Sequence, residues 1–277
     1  MIYPKVNVII LNWNGDKVLA DCIKSILQSN YSNYIVTIID NGSTDLSLDV
    51  ISKFHQNVEL IKIDKNLGYA MAYNYAFNKI AKNNDDYYFL LNNDTEITND
   101  TIDKLVFATK KYGKNNIYGP KIINSNNNNI WYAGGKLNPL TFNVNHIGLN
   151  QKNLITEFKS SKTDFISGCA LFISKTNINK LNGFNENYNF YYEDVELCIK
   201  AKSFNIDSIF INNSIVLHKI SYSMGGRYSL YKIYVKIISK IKFILNNNNL
   251  GMSIYYMIIN FILLPFFLIY KIIQKFL

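Results

Sequence analysis

Apolar residues fall in short blocks along the first third of the chain, and each block ends in a polar cluster. The stretch from Lys5 to Leu11 is apolar for only a few residues before the turn Asn12-Trp13-Asn14-Gly15. That predicts a buried strand and not a targeting signal. Val18, Leu19, Cys22, Ile23, Ile26 and Leu27 then recur at helical spacing. A second strand over 34–39 ends at Asp40, followed by a helix near 46–54, a strand near 58–63, a helix near 69–82 and a strand over 87–91. Strands alternating with helices predict a parallel sheet with helices on both faces. Right-handed connections bring the carboxyl ends of all four strands to one edge, where open α/β sheets bind ligands. The polar clusters Asn12–Gly15, Asp40–Asp45, Asp64–Gly68 and Asn92–Thr95 all lie there. Each alone is ordinary turn chemistry. Four in succession point to a binding edge.

Beyond Asn99 the pattern is less regular. Strands are expected over 117–123, 130–133 and 164–173, with a loop-rich stretch over 137–161. A helix is expected over 194–204, and a last strand over 215–217 ends at His218.

Composition narrows the function classes. A chain of 277 residues, 48% apolar, can bury a substantial core and is not disordered. Cys22, Cys169 and Cys198 are few, odd in number and far apart, which excludes a disulfide framework and fits a reducing cytoplasm. The net charge of +9 is local: eight bases and no acid follow His218, leaving 21 bases against 20 acids before it. With the basicity confined to the tail, no nucleic-acid partner is expected. No GxGxxG follows the first strand and no GxxxxGK[ST] occurs, which argues against a dinucleotide-dependent dehydrogenase and a P-loop NTPase.

Three places carry candidate chemistry. Asp40-Asn41-Gly42-Ser43-Thr44-Asp45 ends a strand and opens a helix, so a carboxylate at Asp40 could accept from a base N–H or a ribose hydroxyl. Asn92-Asn93-Asp94-Thr95 either forms a plain turn or exposes a carboxylate that holds a divalent metal against phosphate oxygens. Glu193, Asp194 and Glu196 either complement the dipole of the helix they open or sit in a pocket shaped by Phe190-Tyr191-Tyr192. His218 is a metal ligand or a polar strand end.

In order, VIILNWNG, IIDNGSTD, NLGYAMAYN, LLNNDTEI, FISGCALFI, FYYEDVELCIKA and HKISYSMGG resemble the family-2 glycosyltransferases, most of all the bacterial rhamnosyltransferase-like members that build surface polysaccharides. The resemblance covers roughly residues 5 to 227. It implies a GT-A fold, a Rossmann-like and mostly parallel sheet, and an inverting transfer of a sugar, with rhamnose suggested, from a UDP- or dTDP-sugar to a glycan or lipid-linked acceptor. It also implies a divalent metal, Mn2+ or Mg2+. Carried over by position, Asp40 contacts the donor's base or ribose. Asn12, Asn14, Asn41, Asn66, Gly68, Asn92 and Asn93 line the donor site. Asn92 and Asp94 stand at the ends of the metal-binding DXD element. Asp194 is the catalytic base with Glu193 beside it, and His218 helps hold metal or diphosphate. Asn92 departs from the pattern by replacing an acid, so Asp94 carries most of the charge offered to the metal.

After this domain, expected over 1–227, the remainder reads as a membrane-associating tail over 228–277. Lys232, Lys236 and Lys240 recur at every fourth position with Ser229 and Ser239 on the same face, opposite Leu230, Tyr234, Ile237, Ile241 and Ile244. That is a basic amphipathic helix suited to an anionic membrane surface. Leu250–Tyr270 then carries no charge and is long enough to span or to enter a bilayer. The expectation is a protein on the cytoplasmic face of the membrane, peripheral or single-pass. Two other readings are a catalytically inactive, membrane-anchored glycan-binding or scaffold module of the same fold, and a nucleotidyltransferase. The latter needs a Gly-rich basic loop that residues 12–16 do not offer.

Overall fold

Strand β1 (Val6–Asn12) is the axis of the structure, a computed structural model that describes residues 3–153, 158–188, 190–220, 230–248 and 250–262. Val6, Val8, Ile9 and Ile10 have no exposed surface, the run expected of a strand covered on both faces. From it the chain continues through α1 (Leu19–Leu27), β2 (Tyr34–Asn41), α2 (Ser47–Ser52), β3 (Glu59–Ile63), α3 (Tyr69–Lys79) and β4 (Tyr87–Asn92), the alternation the sequence predicts. The rest comprises β5 (Thr95–Ile97), α4 (Thr101–Tyr112), β6 (Asn116–Asn124), β7 (Ile130–Tyr132), β8 (Gly135–Leu137), β9 (Val144–His146), β10 (Ser161–Thr163), β11 (Ala170–Ser174), α5 (Lys175–Lys180), α6 (Glu193–Ser203), β12 (Asp207–His218) and α7 (Leu230–Asn247).

The main sheet runs in the order β10-β12-β6-β11-β4-β1-β2-β3. Strands β3, β2, β1 and β4 are parallel, and β6 and β12 are parallel to each other. Strand β11 is antiparallel to both β4 and β6, so the sheet is mixed and mostly parallel. The expected strand over 164–173 is therefore two pieces. Residues 164–169 turn between β10 and β11, closed by Ala170 N donating to Ser167 O at 3.1 Å. Within the expected loop 137–161, β9 pairs with β8 in a small separate sheet. The last strand is twelve residues long, with a register shift between Ile211 and Ile215.

The chain passes from β1 to β2 to β3 on one side of β1 and returns to β4 on the other. The crevice at the carboxyl ends of β1 and β4 is the switch point where such sheets bind ligands. Register places Asn12 beside Asp40 and Leu11 beside Asn92. The Asn12 amide donates to Asp40 Oδ1 at 3.1 Å and to Ser43 Oγ at 3.2 Å, and its Oδ1 accepts from Asn93 Nδ2 at 2.7 Å. One buried side chain thus ties three strand ends together. Gly15 permits this closure: a Cβ there would stand 2.0 Å from Asn93 Nδ2 and 2.4 Å from Asn12 Oδ1.

Helix α7, expected to lie on a membrane surface, packs on the domain. Ser239, Phe243 and Ile244 are buried, whereas Ile233, Tyr234 and Ile237 face outward. Two of its lysines turn toward the protein. Lys240 donates to Asn143 Oδ1 at 2.6 Å and Lys242 to Asn187 O at 2.8 Å. The reason is local: Ser239, Lys240 and Lys242 satisfy oxygens of the domain that apolar side chains could not. The side chains of Leu230 and Lys232, and residues 221–229 and 263–277, lie outside the described residues. These include most of the HKISYSMGG motif and the end of the expected apolar span. Among the described residues no helix is long and apolar enough to cross a membrane.

Gly15→Ala should displace Asn93 and destabilise the fold by about 1–3 kcal/mol, the scale of overpacking a tight site. A thermal melt should show the midpoint lower by about 3–10 °C. An unchanged midpoint would mean that the three strand ends are not held as described.

Candidate active site

The edge is built from side chains that mostly bind one another. Asp40 has no exposed surface; Oδ1 accepts from Asn12 and Oδ2 from Ser43 N at 3.3 Å. Asn41 accepts from Leu67 N at 2.9 Å, and its amide donates to Asn66 Oδ1 at 3.0 Å and to Gly68 O at 3.3 Å. Asn66 Oδ1 also accepts from Gly68 N at 2.8 Å. Asn12, Asp40, Asn41 and Gly68 therefore shape the edge from within. Asn14 and Asn66 reach solvent, while Asn92 and Asn93 are half-buried. Asn14 Oδ1 accepts from Thr44 N at 2.8 Å, which fixes its loop against the one after β2.

The loop after β4 is placed by a three-residue strand that the sequence pattern does not mark. Strand β5 pairs antiparallel with β12, Thr95 opposite His218, and Lys219 N donates to Asp94 O at 2.9 Å. That pairing brings together residues 124 positions apart: Asp94 Oδ1 lies 3.3 Å from His218 Nε2. Both side chains are buried, and neither Asp94 Oδ1 nor His218 Nδ1 has a hydrogen-bond partner of good geometry among the described residues. Burial opposes an imidazolium here. The Cys169 sulfur and the Asp94 carboxylate favour it, and the balance lifts His218 well above the usual histidine range. Asp94 Oδ1 and His218 Nε2, buried and facing each other, fit a divalent cation that takes the place of the imidazolium proton and completes its shell with phosphate oxygens and water. Among the described residues no third Asp, Glu, His or Cys joins them.

Trp131, which the sequence reading passed over, stands edge-on to His218 at 4.8 Å and to His146 at 4.4 Å. His146 is half-buried, and desolvation pushes it down to about 4, so its ring is neutral and Nδ1–H donates to Trp131 O at 3.1 Å. No periodicity marks these three residues as neighbours; only the fold joins them.

The second acidic centre opens α6. Asp194 Oδ2 accepts from Gly168 N at 2.8 Å, and Oδ1 accepts from Val195 N at 2.8 Å. Gly168 lies within the FISGCALFI motif, where its spacing does not mark it as the partner of an acid. A Cβ on it would stand 2.7 Å from the Tyr69 hydroxyl, which itself donates to Gly168 O at 2.7 Å. Glu193 is buried and its Oε2 has no partner among the described residues. Burial and the neighbouring Asp194 charge push its carboxyl well above the usual range. Burial also raises Asp194, but the Gly168 and Val195 N–H groups pull against it. Of two adjacent acids, Asp194 is the one equipped to carry the charge and Glu193 the one left holding a proton.

The turn before this pair is strained. Tyr191 and Tyr192 are both left-handed, with φ of 68° and 71°. Such a conformation costs about 1–3 kcal/mol per non-glycine residue and persists only where its surroundings hold it.

A cleft of about 600 Å3 between α3, α5 and α6, lined by Asn74, Asn78, Asn182, Glu186, Glu196 and Lys200 among others, contains none of the candidate site residues.

Comparison with known proteins places the chain in a family and a fold. The chain is 23% identical over 209 residues to the N-acetylglucosaminyl-diphospho-decaprenol L-rhamnosyltransferase of Mycobacterium tuberculosis, covering 69% of this chain and 68% of that protein. It is 24% identical over 258 residues to the GalNAc(5)-diNAcBac-PP-undecaprenol beta-1,3-glucosyltransferase of Campylobacter jejuni, covering 90% and 76%. Among solved structures, GalNAc-T7 with UDP, GalNAc and Mn2+ superposes with a TM-score of 0.66 at 16% identity, over 82% of this chain and 46% of that one. TarS residues 1–349 from S. aureus in complex with UDP superpose with a TM-score of 0.54 at 15% identity, over 91% and 68%. At such identities the structures speak for the fold alone, an α/β GT-A-like fold. The model of "Glycosyl transferase family 2" matches residues 7–178, more than half of the chain, and the protein is a glycosyltransferase belonging to that family.

Proposed function

We propose that the protein transfers a sugar, with inversion, from a nucleoside diphosphate sugar to a hydroxyl of a glycan or lipid-linked acceptor in cell-surface polysaccharide synthesis. The observation that carries this reading is the division of labour at the head of α6, where two backbone N–H groups hold Asp194 and none holds Glu193 Oε2. A sugar hydroxyl is too weak an acid to ionise at neutral pH, so a positioned carboxylate must take its proton as the new bond forms. Each Asp194 oxygen accepts one hydrogen bond from the backbone and keeps a second lone pair for that proton. Glu193, protonated, leaves the pair with a single negative charge. Asn14, Asn66 and Asn92 are the edge amides with room for the donor. Asp94 and His218 would hold Mn2+ or Mg2+, which when bound supplies the charge that neutralises the departing diphosphate.

A UDP- or dTDP-sugar is the donor in this reading, with rhamnose one candidate sugar. The decaprenol- and undecaprenol-linked acceptors in the names of the two relatives favour a lipid-linked acceptor here too. A cytoplasmic-face membrane location accords with it. On α7 the exposed Ile233, Tyr234 and Ile237 form an apolar strip, and Leu250, Ile254, Ile258 and Phe261 are exposed along the helical stretch 250–262. Eight bases and no acid after His218 suit an anionic lipid surface.

Asp194→Asn keeps the shape but cannot take a proton. Transfer should fall by roughly 10²–10⁴-fold while sugar-nucleotide binding persists, and Glu193→Gln should do less. Transfer by the wild type should fall as pH drops through a limb lying above the range of an ordinary aspartate, since burial raises Asp194 and only its ionised form accepts the proton. Normal transfer by Asp194→Asn would remove the proposed base.

Asp94→Ala should nearly abolish transfer and His218→Ala should weaken it. In a thermal-shift screen of UDP- and dTDP-sugars, Mn2+ or Mg2+ should add stabilisation to the wild type and none to Asp94→Ala. Full activity of Asp94→Ala in a chelator would end the metal assignment.

The double substitution Ile233→Asp and Ile237→Asp should lower co-sedimentation with phosphatidylglycerol-containing vesicles at least several-fold, without changing the melting midpoint. Undiminished co-sedimentation would show that this strip does not face lipid.

A further inference from the structure

The turn that launches Glu193 and Asp194 has no support of its own. Tyr191 and Tyr192 are left-handed in succession, and the Tyr192 side chain makes no capping hydrogen bond to α6. Apart from the Tyr192 hydroxyl bond to Phe142 O, its support among the described residues comes from a helix more than forty residues further along the chain. Ser239 Oγ donates to Phe190 O at 2.6 Å. Lys242 Nζ donates to Asn187 O at 2.8 Å, and the Asn246 amide donates to the Tyr188 hydroxyl at 3.3 Å. The Lys236 ammonium lies 4.7 Å from the centre of the Tyr191 ring. Phe243 packs on Tyr192 at 5.4 Å and on Phe142 at 5.8 Å, and the Tyr192 hydroxyl donates to Phe142 O at 2.7 Å. Five residues on successive turns of α7 thus touch Asn187–Tyr192.

We infer that α7 is a strap that holds the strained turn before α6, with Ser239 and Phe243 as positioning residues that set the place and the dryness of Asp194. The strap grips with the serine and lysine side of the helix, which explains why α7 packs with its polar stripe inward and leaves Ile233, Tyr234 and Ile237 outside. Ser239 reaches a main-chain oxygen of the turn itself. Its loss leaves that carbonyl without its donor and lets the turn relax toward ordinary backbone angles. Such relaxation opens the head of α6 and lets water reach Asp194, which weakens the burial that raises its carboxyl.

The inference rests on the reading of Asp194 as the base for its meaning, but its test needs no substrate. Full-length protein carrying 13C-labelled aspartate would be titrated by NMR, with the Asp194 carboxyl signal identified from its absence in Asp194→Asn. The other titratable groups facing Asp194 are Glu193 on its own helix, Tyr69 from α3, Tyr132 from β7, Tyr192 and the thiols of Cys169 and Cys198. Burial pushes every one of them upward; the tyrosines and thiols stay protonated at neutral pH and below, and because Glu193 and Asp194 act on each other, the titration is repeated in a Glu193→Gln background.

Ser239→Ala and Phe243→Leu should each admit water and lower the Asp194 midpoint by roughly half a unit to one unit. Leu245→Ser, an exposed position of the same helix, should leave it where it is. Two results overturn the strap: a midpoint unmoved in both inner variants, or an equal shift in Leu245→Ser. Phe243→Leu keeps an apolar side chain and serves if Ser239→Ala melts early. The base reading fails by a different result, full transfer by Asp194→Asn, so the two are separable.

Discussion

Asn12 ends the central strand with a buried amide that must find partners, and the partners it finds fix the edge. Its nitrogen bonds the ends of β2 through Asp40 and Ser43, and its oxygen accepts from Asn93 after β4. An amide left unsatisfied at a site with no exposed surface would cost about 1–3 kcal/mol, so the three loops have a common reason to keep their relative positions. With Asn93 held, the chain beyond it can only leave along β5, and β5 can pair with β12 only by bringing Thr95 opposite His218. The Asp94–His218 contact follows from the Asn12 closure by two steps of strand pairing.

The other acidic centre is organised by scarcity of hydrogen bonds and not by abundance. Two adjacent carboxylic acids in a dry site cannot both ionise, and the backbone decides which one does. Gly168 provides the deciding N–H, and it can come so near because it has no side chain to strike Tyr69. The same peptide unit receives the Tyr69 hydroxyl on its carbonyl. Tyr69, Gly168 and Asp194 therefore form one chain of contacts from α3 through the turn before β11 to the head of α6.

The half of the fold around β1 was legible because its signals are local: apolar runs of strand length, helical spacing at Val18–Leu27, and turn residues at each carboxyl end. Their clustering on one edge follows from handedness alone. The second half was less legible for physical reasons. Helix α4 carries a modest apolar stripe with lysines at its end and no motif, and β5 is only three residues long, so its identity lies in the partner β12 and not in itself. Strand β11 shows the same buried pattern parallel or antiparallel, because burial on both faces erases the alternation that would distinguish them. Of the site, the acids and His218 could be named from motifs. The cage around them, Gly168, Tyr69 and Trp131, could not, because their roles are contacts across 26 to 99 residues of sequence.

Helix α7 shows where periodicity stops being informative. Spacing separates the stripe of Ser239 and Lys240 from the stripe of Tyr234 and Ile237, but it does not say which stripe meets the protein. The usual rule buries the apolar one. Here the surface on offer is a strained turn that presents main-chain oxygens at Asn187 and Phe190, and these require donors. Serine and lysine supply them, Phe243 and Ile244 fill the space between, and Ile233, Tyr234, Ile237 and Leu245 face away. The orientation of the tail is thus dictated by unsatisfied carbonyls on the catalytic domain. Once that face is committed, an outward apolar strip is its geometric consequence, and a lipid surface is the neighbour with which such a strip is compatible.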